Sequence, residues 1–206
     1  LREKIKAEKL DTLVNFGRIL KVKYEDAVAD VIPDFDALDA AELVSLLSNK
    51  NGWVRDRAQH YLILKELTQA SDAIKKVALN SKNKLSQIHA LYVLEGWDAL
   101  SFDFLLEVMN SDNIEAASHA LLLSKRFIKE ENIDKAVRVF KSILKKNKIG
   151  LDVYLGSTIG SWLALNEEMF TPIMMEILKR RKLNSTITES VISGLTGVDS
   201  LISSNK

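Results

Sequence analysis

Few residues in this sequence are of types that could do chemistry. The chain has three histidines, His60, His89 and His119, and no cysteine. The lack of cysteine excludes disulfides, thiolate metal sites, covalent c-type haem attachment and cysteine nucleophiles within these 206 residues. Metal-binding histidines on helices usually lie four residues apart with carboxylate or thiolate company, a spacing that these three do not share. We therefore expect partly exposed packing histidines and no metal or haem-ligand role.

Polar and aromatic side chains are concentrated in the segment NGWVRDRAQ, residues 51–59. In a structural interpretation, Trp53 covers a turn between two helices, and the polar residues after it pair with groups of adjacent repeats or bridge helix ends. In a functional interpretation, the segment is a docking patch for a neighbouring domain. Both interpretations can hold together. The candidates for structural or docking roles are Trp53, Arg55, Asp56, Gln59, His89 and Trp97.

No arrangement typical of catalysis is evident. The sequence offers no Ser/His/Asp order, no paired carboxylates and no glycine-rich cofactor loop. Gly156 and Gly160 lie four residues apart, but Asp152 and Asn166 flank them, so we expect close packing of soluble helices and not a membrane dimer. We predict no catalytic residue, no metal and no cofactor in this chain, which would then not be an enzyme by itself.

Two basic clusters raise the alternative of nucleic-acid binding. They are Lys145-Lys146-Asn147-Lys148 and Lys179-Arg180-Arg181-Lys182. Each falls near the end of a predicted helix, where positive charge complements the helix dipole. A nucleic-acid surface would need a continuous basic face with aromatic or arginine insertions, which the pattern lacks. We therefore expect no nucleic-acid partner.

The composition is that of an ordinary soluble domain, with 47% apolar and 28% charged residues. The 29 basic and 28 acidic residues nearly cancel, so no global field would gather nucleic acid or an anionic membrane. No apolar run approaches the roughly 20 residues of a membrane-spanning helix. Because the first residue is leucine, we interpret the chain as a piece of a longer protein.

Apolar residues recur at helical spacing along most of the chain. Asp39 with Glu42 predicts a capping box, Asn51-Gly52 a turn, Ser101 an N-cap, and Thr171-Pro172 a helix start. Thr186 and Glu189 are predicted to cap the last helix. The predicted helix faces carry Ala40, Leu43, Val44, Leu47; Val54, Ala58, Tyr61, Leu62; Ala70, Ala73, Ile74, Val77; Leu85, Ile88, Leu91, Tyr92; Phe102, Leu105, Leu106, Met109; Ile114, Ala117, Leu121, Leu122; Ile133, Ala136, Val137, Phe140, Leu144; Leu151, Leu155, Ile159, Trp162; and Ile173, Ile177, Leu178.

These helices fall into about five pairs. A pair of short amphipathic helices cannot bury both apolar faces alone, so it needs neighbours of the same kind. Aligning Ala58, Ala90 and Ser118 gives intervals of 32 and 28 residues, a drifting period that suits HEAT-like repeats. The three histidines lie at different positions relative to Ala58, Ala90 and Ser118, so we do not expect them to line up across the repeats. The predicted fold is all-α, a right-handed α-α superhelix of about five HEAT-like pairs with a short N-terminal extended segment.

The domain boundaries follow from the same pattern. Residues 1–34 are predicted to be an N-terminal segment and linker, in which Phe16–Tyr24 has the composition of a short strand. Residues 35–198 form the predicted repeat domain, which Gly194 and Gly197 would end. Residues 199–206 are expected to be a frayed tail.

The segments NGWVRDRAQ, residues 51–59, and HALYVLEG, residues 89–96, resemble the HEAT-like, armadillo-like helical region of large bacterial dehydrogenase-like proteins. In that family a β-propeller precedes the repeats and a cytochrome c module with covalent haem follows them. Residues 1–24 are similar to the last propeller segment. Val54 departs from the family, which often has an aromatic residue there. The resemblance implies a periplasmic or cell-envelope parent oxidoreductase whose catalytic residues and haem lie outside these residues.

Two kinds of function follow as hypotheses. The first is a non-catalytic scaffold or docking module whose partners are the neighbouring propeller and cytochrome domains. The second is an adaptor that binds a peptide or protein on the concave face of the array. A helical-repeat nucleic-acid binder is a further alternative, and no membrane contact is expected from this chain.

Overall fold

The computed structural model describes residues 2–9, 31–180 and 184–195. The chain divides into two compact units, Leu1–Ile32 and Pro33–Lys206. In the first unit, the described part contains helix α1, Arg2–Ala7, none of whose residues is buried. The predicted strand over Phe16–Tyr24 lies outside the described residues, as do Gly197 and the predicted tail.

The second unit is all-α over its described residues, which confirms the predicted fold class. The helices are α2 Ala40–Leu46, α3 Gly52–Leu64, α4 Ser71–Asn80, α5 Lys84–Gly96, α6 Phe102–Asn110, α7 Ile114–Leu123, α8 Ile133–Lys146, α9 Ile149–Leu163, α10 Glu167–Arg180 and α11 Ser185–Leu195. Short 3-10 turns cover Thr68–Ala70, Ser124–Phe127 and Glu130–Asn132.

These ten helices stack as five consecutive pairs in two layers. Within each pair the first helix contacts the second, from α2 with α3 to α10 with α11. The second helices α3, α5, α7, α9 and α11 each contact the next in turn, and the first helices α4, α6, α8 and α10 do the same. Helix α2 joins the first layer through the turn Thr68–Ala70 that leads into α4. The right-handed winding of the stack stays a prediction.

The second helices share one starting signal and one register. Asparagine side chains at Asn51, Asn83, Asn113 and Asn184 each accept a hydrogen bond from a main-chain N–H of the first turn, while α9 begins after Lys148 without such a cap. The residues three and seven positions after these five starts are all buried: Val54, Ser86, Ala116, Leu151 and Ile187, then Ala58, Ala90, Ala120, Leu155 and Val191. A helical stripe of this spacing fills the space between the two layers.

This register corrects the alignment made from sequence. Ala120, and not Ser118, is equivalent to Ala58 and Ala90. The starts at 51, 83, 113, 148 and 184 lie 32, 30, 35 and 36 residues apart. The error arose because Ser118 is also small and buried, so that size alone could not distinguish it from Ala120.

The core is continuous and becomes aromatic toward the last pairs. Trp162 of α9 is fully buried, and its ring lies 5.6 Å from Phe102, 5.9 Å from Phe140 and 5.6 Å from Phe170. These rings join first helices α6, α8 and α10 to the second layer. Burying one such side chain stabilises the fold by about 1.5–3 kcal/mol, so this cluster is a main tie between the third, fourth and fifth pairs.

Several predicted helix starts are confirmed. The capping box of α2 is present, because Asp39 Oδ1 accepts from Glu42 N at 2.8 Å and Glu42 Oε2 accepts from Asp39 N at 2.9 Å. Ser101 Oγ caps α6 by accepting from Phe104 N at 3.2 Å.

The predicted start of α10 at Thr171-Pro172 is wrong. The helix begins at Glu167, and Asn166 Oδ1 accepts from Met169 N at 3.0 Å. Pro172 lies inside the helix on its exposed side. Asn166 followed by two glutamates is a complete start signal, because the acidic side chains complement the helix dipole.

The predicted cap of α11 is also wrong. The helix starts at Ser185, close to the predicted start, and its cap is Asn184, whose Oδ1 accepts from Ile187 N at 3.1 Å. Thr186 is therefore already inside the helix. Gly194 is buried in the last described turn of the helix, where α11 packs against α9.

Candidate protein-interaction surface

Trp53 lies at the α2–α3 junction, as predicted, and covers the segment that leads into α2. Its ring contacts Phe35 edge to face at 5.9 Å, and Phe35 stacks on Tyr61 at 5.4 Å. The Arg57 guanidinium lies 5.2 Å from the centre of the Trp53 ring. Trp53 is nevertheless 46% exposed. A large aromatic ring with one open face, held by its neighbours, is a type of residue enriched at protein interfaces.

The Arg55 side chain makes hydrogen bonds both to the turn between α2 and α3 and to helix α5 of the next repeat. Its Nη1 donates to the carbonyl oxygens of Asn49 at 2.8 Å and Lys50 at 3.1 Å, in the turn between α2 and α3. Its Nε donates to Nε2 of His89 on α5 at 3.4 Å. The predicted pairing of Arg55 with an adjacent repeat is thus present, and its second role is to satisfy main-chain carbonyl groups of the turn.

His89 is held between groups of α3. Its Nδ1 lies 2.7 Å from Gln59 Oε1, and its Nε2 lies 3.9 Å from Asp56 Oδ1. Because Gln59 Oε1 only accepts and Arg55 Nε only donates, the imidazole carries its proton on Nδ1 and is neutral. Burial lowers the pKa of His89, with the Asp56 carboxylate opposing that shift and Arg55 adding to it.

His119 of α7 likewise contacts the preceding second helix, which is α5. Its Nδ1 lies 2.8 Å from the Tyr92 hydroxyl of α5, and its ring meets the Tyr92 ring edge to face at 5.5 Å. The Tyr154 ring of α9 lies 6.1 Å from the same imidazole. Burial lowers the pKa of His119 and raises the pKa of Tyr92. Three successive second helices therefore contribute one aromatic ring each to a half-buried row.

Two of the three histidines align, contrary to the sequence-based expectation. His89 and His119 both lie six residues after the asparagine that caps their helix, at Asn83 and Asn113. His60 occupies another position and is exposed. The signal that could have shown this is the repeated asparagine cap, which the alignment on small residues ignored.

Trp97, the C-cap of α5, links the second helix pair to the first. Its indole Nε1 donates to the Leu62 carbonyl oxygen of α3 at 3.0 Å, so it ties the second pair to the first. At Gly96, the preceding residue, an added Cβ would meet Ile63 Cδ1 at 2.8 Å. Asp98 follows in a left-handed conformation, and Arg126 donates to its Oδ1 at 3.0 Å and to Glu95 at 2.7 Å. Sequence reasoning did not identify Arg126, which lies in no motif.

The second helices have one partly exposed face, which we call the second-helix face; of its residues on α5, α7 and α9, only Ser118 is buried. This face consists of the residues two, five, six and nine positions after each start. On α5, α7 and α9 these are Leu85, Ile88, His89, Tyr92, Glu115, Ser118, His119, Leu122, Gly150, Val153, Tyr154 and Ser157. Leu85 is 48% exposed, although the sequence pattern placed it in the core, and Ser86 is buried instead. Among these twelve described residues, only Glu115 carries a full charge.

The opposite surface, formed by the first helices, is strongly charged. Its exposed charged residues are Glu42, Asp72, Lys76, Asp103, Glu107, Asp134, Arg138, Lys141, Lys145, Glu167, Glu168, Glu176 and Lys179. Both signs are interspersed there, as on ordinary solvent-facing helices. Ala73, predicted for the core, is exposed on this surface. The two layers therefore present different chemistry to their surroundings.

The basic clusters are partly used inside the structure. Lys146 Nζ donates to the carbonyl oxygens of Met109 at 3.1 Å and Ser111 at 2.7 Å, and Arg180 donates to the Leu144 carbonyl oxygen. Each side chain thus caps the end of the preceding first helix. Burial lowers the pKa of Lys146. This use agrees with the helix-end interpretation, although the carbonyls belong to the previous helix; Arg181 and Lys182 lie outside the described residues.

In the described parts of the chain, no group of three or more His, Asp or Glu side chains is placed to hold a metal ion. In the same residues, no helix is both long and apolar enough to cross a bilayer. Shallow pockets lie at helix ends, for example where Ile63, Glu66 and Trp97 meet, and the groups there do not form a catalytic arrangement.

Comparisons with known proteins give no relative. No protein-family model, no curated protein and no solved structure matches the chain. The function must therefore be argued from the geometry of the two layers.

Proposed function

We propose that this chain is a non-enzymatic helical-repeat module that binds an extended, largely apolar segment of a protein partner along its second-helix face. The observation that supports this proposal best is the difference between the two layers. Exposed charged residues occur on all five first helices, whereas the second-helix face of α5, α7 and α9 carries one charged residue. The same positions of α3 hold Asp56 and Arg57, so the charge-poor region is formed by α5, α7 and α9. Depletion of charge together with aromatic enrichment distinguishes the centre of a protein interface from ordinary surface.

The side chains of that face also have the chemistry that peptide recognition needs. Tyr92, His119 and Tyr154 offer ring surfaces that are already fixed by mutual contacts, so that binding orders little further. Leu85 and Trp53 occupy the same position, two residues after their caps, and both keep large exposed apolar areas. An extended segment that crosses several repeats would contact these side chains in turn.

A binding experiment can test this face against the other layer. Short peptides selected from a random display library on the whole chain are measured by fluorescence anisotropy with the wild type and two variants. Leu85→Lys places a charge on the second-helix face, and we expect at least about tenfold weaker binding, which corresponds to about 1.4 kcal/mol. Failure to select any peptide would count against the proposal.

The matched control is Met175→Lys on α10. Met175 is 41% exposed on the first-helix face, and Leu85 is 48% exposed, so both lysines enter sites of similar accessibility. Met175→Lys should leave affinity unchanged. Equal loss in both variants would show non-specific apolar binding and would refute the assignment to this face. Far-UV circular dichroism of each variant verifies that the helices are intact.

The scaffold role expected from the dehydrogenase-like resemblance is compatible with this proposal, because a neighbouring domain of the same protein is also a protein partner. In that form of the proposal, the segment that binds would come from the preceding propeller or the following cytochrome domain. The reaction, haem and periplasmic location of such a parent protein remain expectations from the resemblance.

A further inference from the structure

Two of the junctions between successive second helices are closed by a histidine in the same position. His89 joins α5 to α3 through Gln59 at 2.7 Å, and His119 joins α7 to α5 through Tyr92 at 2.8 Å. Both imidazoles are half-buried, and each is six residues after its helix cap. In contrast, helices α9 and α11 meet through Gly156, Gly160 and Gly194, and neither helix carries a histidine. The buried carboxyl of Asp152 lies one turn before Gly156 on α9.

At the first junction, the neighbours of His89 require its neutral form. A second proton would have to sit on Nε2, where the imidazole now accepts from Arg55 Nε at 3.4 Å. That proton would remove the hydrogen bond and place two cationic groups side by side. Among the described residues, Arg55 and Asp56 of α3 are the charged groups that act on His89. Asp56 opposes the effect, but its side chain is 74% exposed, so solvent screens its attraction.

At the second junction the imidazole of His119 is surrounded by rings. Tyr92 of α5 and Tyr154 of α9 face it, and the nearest acid on its own helix, Glu115, pairs with Lys84 at 3.8 Å. Burial of the imidazole lowers the pKa of His119 and so disfavours its protonated form. A charged His119 could still donate to the Tyr92 oxygen, so this junction responds to acid less strongly than the first.

We propose that His89 and His119 make the first three helix pairs an acid-loosened segment of the array, in which protonation opens the α3–α5 and α5–α7 junctions while the α9–α11 contact stays closed. This inference does not rest on the proposed function, since it concerns the contacts between repeats and requires no partner. Because the described helices contact mainly the helices of neighbouring pairs, two junctions can loosen without unfolding the rest.

The direction of the effect follows from linkage. Both histidines have folded-state pKa values below the 6.5 of a free side chain. Between those values the unfolded or opened chain binds protons that the closed chain does not, so stability falls as pH decreases. The two neutral histidines make their full contribution to the free energy of unfolding above about pH 6.5. That contribution is lost as the pH falls through their folded-state pKa values.

Hydrogen exchange of the whole chain measures this directly. After correction for intrinsic rates, amides of α3, α5 and α7 should exchange several-fold faster at about pH 5 than at about pH 7.5, within the range where histidine titrates. Amides of α9 and α11 should change little. Equal acceleration in all second helices would indicate general acid destabilisation and would overturn the proposal.

Variants assign the effect to the two side chains. His89→Asn and His119→Asn place an amide N–H near the former Nδ1 and cannot titrate, so together they should abolish the difference between α3–α7 and α9–α11. His60→Asn makes the same substitution at an exposed helical position and should leave the wild-type pattern. An acid response that persists in the double variant refutes the proposal. Should the double variant not fold, histidine NMR titration of the wild type decides: ring signals of His89 and His119 that titrate at or above pH 6.5 overturn it.

Discussion

The indole of Trp97 and the carbonyl of Leu62 form the hydrogen bond that closes the end of α3 with a residue of the next repeat. The distance from Trp97 Nε1 to Leu62 O is 3.0 Å. The same carbonyl oxygen accepts from Leu67 N at 3.2 Å, so it is shared between its own helix end and the following repeat. Contacts of this kind couple one pair to the next in a fold whose described helices contact mainly their neighbours in the stack.

Replacing Trp97 by phenylalanine should destabilise the chain by about 1–2 kcal/mol. The variant loses one hydrogen bond, worth about 1 kcal/mol, and part of a half-buried ring. Urea unfolding followed by circular dichroism measures the change. Trp53→Phe is the control, because Trp53 is 46% exposed and phenylalanine keeps an aromatic ring against Phe35, so the change should cost no more than about 0.5 kcal/mol. Equal effects from the two variants would show that the Leu62 contact contributes nothing specific.

Lys146 should matter more than the adjacent Lys145. Its ammonium donates to two carbonyl oxygens at the end of α6, those of Met109 and Ser111. Lys146→Met keeps most of the apolar stem and removes both bonds, so we expect a loss of about 1–2 kcal/mol in the free energy of unfolding. Lys145→Met changes an exposed side chain and should stay within about 0.5 kcal/mol of the wild type. A reversed order of the two variants would contradict the capping role.

The sequence predicted the helical pairs well because amphipathic spacing and side-chain caps are local signals. Asp39 with Glu42 and the N-cap at Ser101 are examples that the structure confirms. The position of Leu85 could not be predicted in this way, since it depends on which face of α5 meets α3 and α7. Apolar Leu85 is exposed while polar Ser86 is buried, where its hydroxyl donates to the Leu47 carbonyl oxygen at 2.8 Å.

The candidate surface was only partly visible in the sequence. Trp53 and Arg55 stood out because they share one short motif. Tyr92 and Tyr154 did not, because their contact with His119 joins residues that are 27 and 35 positions apart from it in the chain. The register of each helix, counted from its start, aligns Tyr154 with His119, six residues after Lys148 and Asn113, but places Tyr92 nine residues after Asn83.

The left-handed residue after α3 is a site where glycine should stabilise the fold. Glu66 has φ of 49°, and the bonds from Glu66 N to Ile63 O and from Leu67 N to Leu62 O form a Schellman motif. A non-glycine residue there costs about 1 kcal/mol, so Glu66→Gly should raise the free energy of unfolding by up to that amount. Asp98→Gly changes an equivalent backbone but loses the Arg126 ion pair, so its gain should be smaller. Destabilisation by Glu66→Gly in urea unfolding would show that its side chain has another role.

The contact between α9 and α11 depends on glycines on both helices. A Cβ added at Gly160 would overlap the main-chain carbonyl of Gly194, and one added at Gly194 would lie 2.7 Å from the Gly156 oxygen. Because both sides are backbone, no rotamer change relieves the clash. Gly160→Ala should therefore cost about 3 kcal/mol, at the upper end of the usual range for overpacking.

The loss from Gly160→Ala should be local, because α11 belongs to the last described pair and the first four pairs keep their own contacts. Hydrogen exchange should show α11 losing protection while α3, α5 and α7 retain it. Gly150→Ala is the matched control on the same helix, since its Cβ would meet Ile114 at 3.8 Å, an ordinary contact. That variant should be neutral or gain up to about 1 kcal/mol from helix propensity. If both alanines were tolerated equally, α9 and α11 would have to be further apart than the structure places them.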